Sequence, residues 1–164
     1  MFVDDMVSAI VARLAAVLPS LKAEAFPDDP ANYRLYHPTG AALVIYGGSR
    51  YGEPDSLGAI VQKRLAEFDV TLLLRNLRGP TGANTHVDAI RLALTGFKVA
   101  GGGSKLRPVR DRFVAHDSGV WRFEITFVAA IPAIEQLEED LVPLLKRLTF
   151  TGDDGTTEVP KEAP

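Results

Sequence analysis

Residues 64–74 read RLAEFDVTLLL. Ala66, Phe68, Val70, Leu72 and Leu74 fall at every second position, with Glu67, Asp69 and Thr71 between them. Successive side chains of an extended chain point to opposite sides, so this alternation predicts a strand with one apolar and one wet face. The stretch GVWRFEITFV at 119–128 repeats the pattern, setting Trp121, Phe123, Ile125 and Phe127 against Arg122, Glu124 and Thr126. Half-wet strands are the mark of antiparallel sheets, since strands of parallel sheets are apolar on both sides.

Working outward, Asp117-Ser118-Gly119 has the character of a hairpin turn. It joins residues 106–115, a moderately β-like stretch, to the strand that follows, and Pro108 argues for an edge or a strand start. ALVIYGG at 42–48 predicts a short buried strand bounded by glycines, with SRYGEPDSLG at 49–58 as a loop. PDDPANYRLYHPTG at 27–40 is rich in turn formers.

Val3, Val7, Ile10, Leu14 and Val17 recur at steps of three and four, which predicts a helix over residues 2–18. Asp4 and Asp5 suit its positive end and Pro19 stops it. RGPTGAN at 78–84 leads into a second helix through Val87, Ile90 and Leu94, closed by Gly96 in the left-handed conformation. Pro132 is read as the end of the last strand. IEQLEEDLVPLLKRL at 134–148 then predicts a final helix, bent or split at Pro143. The expected architecture is α+β: a mostly antiparallel sheet with helices packed on one face, in a single domain over 1–150. Residues 151–164 are polar and read as a loose tail.

Composition narrows the function. With 164 residues and no cysteine, the chain suits one core and excludes disulfides, thiolate metal sites and a cysteine nucleophile. Its net charge of −3 argues against tight nucleic-acid binding, which needs a basic surplus to neutralise phosphates. MFVDDMVSAIVARLAAVLPSLK at 1–22 has acids where a signal peptide has bases, and Arg13 interrupts the apolar run, so no membrane segment is expected.

The chemical motifs are sparse. TGFKVAGGGSKLRPV at 95–109 suggests a phosphate cradle, but a helix precedes the glycines, a strand follows, and Ser104 comes before Lys105. A phosphate loop needs the reverse order, strand to helix, with the lysine first. His37, His86 and His116 form no metal-ligand pair, and no GxSxG elbow is present. Glu53 and Asp55, with His37, leave an alternative open: a small hydrolase or nuclease. A generic oligomeric interaction module is a further alternative.

The stronger pattern is charge on the wet strand faces: Glu67, Asp69, Arg110, Arg112, Arg122 and Glu124. Such residues either pair across strands or meet a neighbouring subunit. Arg50 and Tyr51, between glycines, are candidate contacts because aromatic and guanidinium groups favour interfaces. Gly101, Gly102, Gly103, Ser104 and Lys105 form a glycine-rich loop pliable enough to order against a partner.

Taken in order, the early helix, PDDPANYRLYHPTGAALVIYGGSRY, RLAEFDVTLLLRNLRG, IRLALTGFK and GVWRFEITFV make the chain similar to the Mu-like phage and prophage tail-terminator family. The resemblance covers roughly residues 1–132. It implies a virion structural protein without catalysis or cofactor. Such proteins form a hexameric ring on the finished tail tube, end its polymerisation and present the surface that joins the head. The implied partners are further copies of itself, two rings stacking where the natural partner is missing, then the tail tube or sheath protein and the head-tail connector. The implied location is the bacterial cytoplasm during assembly and the virion tail afterwards.

Overall fold

A computed structural model describes residues 3–54, 59–99, 103–136, 150–151 and 157–158. Its elements run α1 (Val3–Val17), β1 (Lys22–Ala25), a 3-10 turn (Pro30–Asn32), β2 (Gly40–Pro54), β3 (Val61–Leu74), α2 (Ala83–Leu94), β4 (Arg107–Asp117) and β5 (Val120–Ile134). These strands form one five-stranded sheet in the order β1-β2-β3-β5-β4, parallel only between β1 and β2. A separate two-residue ladder pairs β6 (Phe150–Thr151) with β7 (Thr157–Glu158). The fold is α+β, as the alternating strands require.

The apolar side of β3 is the centre of the core. Ala66, Phe68, Val70, Leu72 and Leu74 are each no more than 1% exposed. They pack with Ile125 and Phe127 of β5 and Ala42 and Val44 of β2, and both helices close over them. Burying a side chain such as Phe68 contributes roughly 1.5–3 kcal/mol. The contact stripe of α1 differs from expectation: Met6, Ile10 and Leu14 are buried, whereas Val3 is half-buried and Val17 is 40% exposed. A spacing of four keeps Met6, Ile10 and Leu14 nearly in line along the helix, so the two outer valines fall to its flanks. α2 contributes Ile90, Ala93 and Leu94, and Gly96 follows with φ 80°.

Three strand assignments change. β2 does not stop at Gly47 and Gly48 but runs on to Pro54, so Arg50 and Tyr51 are strand residues and not loop residues. The pairing with β3 shifts register between Tyr46 and Gly48, where Gly48 has φ 130°. The glycine therefore makes a bulge inside the strand, a conformation that other residues rarely adopt. β1 carries no readable pattern in its sequence, KAEA, and is held by its pairing to residues 41–44.

β5 runs through Pro132 to Ile134, with Pro132 opposite Lys63. β4 pairs with β5 only as far as Val128, so the far part of β5 has an open side. Both backbone groups of Ala130 turn to that side, where its N–H meets the Ser104 hydroxyl and its carbonyl accepts from the Ser104 N–H. Two residues on, the nitrogen of Pro132 faces the same open side, so no ladder bond is lost. Pro132 is tolerated for the reason Pro108 is, because β4 is itself the sheet's edge. The turn between β4 and β5 has positive φ at both Ser118 (50°) and Gly119 (75°), as tight hairpins require. Ile134 lies in β5, Glu135 and Gln136 follow it without helical structure, and residues 137–148 of the expected final helix lie outside the described residues.

Candidate assembly surface

The sheet face turned away from the helices gathers most of the charged residues singled out by sequence. Glu124 accepts from Arg112 at 2.9 Å and lies 3.6 Å from Arg110, so two β4 guanidiniums share one β5 carboxylate. Arg50 of β2 pairs with Glu67 of β3 at 2.6 Å. Asp69 accepts a hydrogen bond from the Thr126 hydroxyl at 2.6 Å, and Thr126 is buried. Cross-strand pairing inside one chain thus accounts for Arg50, Glu67, Asp69, Arg110, Arg112 and Glu124. Each exposed pair contributes no more than about 1 kcal/mol.

Arg122 is different. It is exposed and, among the described residues, its guanidinium has no hydrogen-bond or ion-pair partner. It stands in a groove between the 26–35 segment and the β4–β5 hairpin. The groove has two compartments of about 240 and 330 Å³ that share Pro30, Tyr33, Leu73 and Arg122 as walls. Its apolar floor is a small second cluster, Ala41, Leu43 and Leu73, covered by Phe26, Tyr33 and Leu35. No local pattern in the sequence marks this groove, since its two sides lie some ninety residues apart.

Tyr33 fixes the 26–35 segment by donating to Glu24 of β1 at 2.7 Å. Burial, then the hydrogen bond and charge of Glu24, push the Tyr33 phenol well above its ordinary range. For Glu24, burial acts to raise the carboxyl, but hydrogen bonds from Lys22 and Tyr33 and the Lys22 charge outweigh it and hold it below 4.5. At the other end of the sheet, Tyr46 shares its hydroxyl with Ser49 at 2.7 Å and accepts from Arg64 at 3.1 Å. Burial opposes ionisation there, but these two neighbours prevail and lower the Tyr46 phenol.

In the glycine loop, Gly101 and Gly102 lie outside the described residues. Gly103 packs against β5, where an added Cβ would come 3.0 Å from Ile131. Ser104 is bonded through both backbone and side chain to Ala130, and Lys105 is exposed. The loop joins α2 to β4, the helix-to-strand order that the sequence indicated.

The histidines have ordinary roles. His86 is buried, and its Nδ1 lies 2.9 Å from the Gly82 carbonyl. A carbonyl only accepts, so Nδ1 carries the proton there, and Nε2 faces the Ser20 hydroxyl at 3.4 Å. His37 Nδ1 accepts from the N–H groups of Thr39 and Gly40, and His116 stacks on Trp121. His37 precedes the first residue of β2 and Glu53 lies near its last. Thirteen residues of strand separate Gly40 from Glu53, roughly 40 Å. The hydrolase alternative needs these groups together, and the structure holds them apart; Asp55 lies outside the described residues. No helix among the described residues is long and apolar enough to cross a membrane.

A long, mostly antiparallel sheet with both helices on one side is an architecture shared with a known particle protein. A chain in the virion of a native gene transfer agent particle matches with a TM-score of 0.51 at 14% identity, over 78% of this chain and 95% of that one. The sequence itself belongs to the Gp37 protein family, whose model matches residues 10–152. No curated protein matches it.

Proposed function

We propose that this chain is a structural protein of a phage-type virion, and that it forms a ring which caps the tail tube, ends its polymerisation and offers the head-joining surface. The observation that carries the virion role is the shared fold with a gene transfer agent virion chain, nearly the whole of which is covered. Membership of the Gp37 family supports the same class. The ring and its terminating role rest on the resemblance of residues 1–132 to tail terminators.

The physical build suits that role. Strand pairing makes the sheet long and stiff, and its two ends present unlike surfaces, as a closed ring of identical subunits needs. The acids of the charged face are paired within the subunit, and a net charge of −3 gives the chain no basic surplus to hold a passing DNA. The partners on this reading are neighbouring copies, the tube or sheath protein and the head-tail connector, and the work is done without catalysis. Electron microscopy of particles assembled without this chain tests it. Overlong, uneven, headless tails are expected; particles of normal length with heads attached would refute the terminating role.

A further inference from the structure

Two surfaces at opposite ends of the sheet remain unused by the fold. One is the groove holding Arg122. The other is the distal end of β2, β3 and β5, which presents Tyr51 at 58% exposure, Ile60 at 50% and Ile134 at 64%. Beside Tyr51 on the same strand stands Glu53, exposed, with no side-chain partner among the described residues. The register places Tyr51 opposite Arg64 and Leu43, in the groove floor, opposite Thr71. Seven strand residues separate these levels, roughly 23 Å. The two surfaces therefore cannot meet within one chain.

We infer that the distal end of one copy docks into the groove of the next, with Tyr51 entering the compartment walled by Phe26, Tyr33 and Val114 and Glu53 paired to Arg122. The inference rests on the ring reading and deepens it by naming the contact. The occupant follows from charge and shape. The compartment that holds Leu43 and Val114 is mostly apolar, and Arg122 is its unpaired cation among the described residues; Glu124, its one acid, is held by Arg110 and Arg112, and Asp117 lines only the other compartment. The distal end supplies an aromatic ring with a free carboxylate two residues away. A contact between unlike patches on opposite ends is head-to-tail, and it closes into a ring when the rotation per copy divides the circle.

The chain has no cysteine, so engineered thiols report cleanly. In the full-length protein, Tyr51→Cys combined with Val114→Cys, a half-exposed groove residue, places two thiols within disulfide reach only across this contact. On oxidation, a ladder ending at the ring size is expected, with each single variant giving no ladder. Glu53→Arg and Arg122→Glu should each weaken self-association roughly tenfold, and the double reversal should restore it. Discrete rings that form no 51–114 disulfide, or that ignore both reversals, would overturn this contact and leave the ring reading standing. So would a 51–51 disulfide in the Tyr51→Cys variant alone, which marks a two-fold contact. A monomer at all concentrations, both free and beside isolated tail tubes, would remove the ring and the contact together.

Discussion

The two faces of the sheet are closed in different ways. On one, α1 and α2 seal Phe68, Val70, Leu72, Ile125 and Phe127 into a continuous apolar layer. On the other, residues 26–35 cover only the end near Leu73, and beyond it Arg50–Glu67 and the Arg110–Glu124–Arg112 group spread toward solvent around the buried Thr126–Asp69 bond. The helix side holds the molecule together. The charged side costs little to alter, and it is where a neighbour can be met without endangering the fold.

That contrast can be tested by substitution. Phe68→Ala should lower unfolding free energy by about 3–5 kcal/mol in chemical denaturation, because it removes a ring from a packed layer. Ile45→Ala, on the open face at 40% exposure, should cost under about 1 kcal/mol. Equal losses would mean that the open face is as tightly built as the closed one.

Thr126→Val comes next, at about 1–2 kcal/mol, since it removes the one buried donor that Asp69 meets on this face. Tyr33→Phe should cost about 1 kcal/mol or less at neutral pH, and its sharper effect is on pH dependence. Glu24 is held below 4.5, so its contribution is present above that value and fades as pH falls through its depressed folded value. Tyr33 is raised above 10.0, so stability is also lost as pH climbs past 10.0. Melting curves of the phenylalanine variant should show a weaker acid loss and lack this tyrosine's share of the alkaline one. Smallest of all, Glu124→Gln should shift stability by no more than about 0.5–1 kcal/mol, and the shift should shrink in 1 M salt.

Where side chains alternate or repeat locally, the sequence was a sufficient guide. β3, β5, the hairpin turn at Ser118–Gly119, the edge position of β4 and the position of α2 all follow from period and turn chemistry. The departures in the strands share one cause, which is pairing between distant residues. KAEA becomes a strand because residues 41–44 lie beside it, the double glycine is absorbed as a bulge because β3 continues opposite, and Pro132 is accepted because β4 has already ended. The charged residues could be picked out by type, but which acid meets which base is set by register. The groove could not be read at all, because neither of its walls is apolar enough alone to announce a site.

The bulge at Gly48 has one more effect. Ser49, Arg50 and Tyr51 stand on the faces they do because one extra residue was inserted there, before a second register shift between Tyr51 and Pro54. Deleting that glycine would shift the strand that follows by one step, and Arg50 and Tyr51 would trade sides while the helix-covered layer stayed whole. A lineage losing this single codon would keep a folded subunit whose outer end no longer matched that of its siblings.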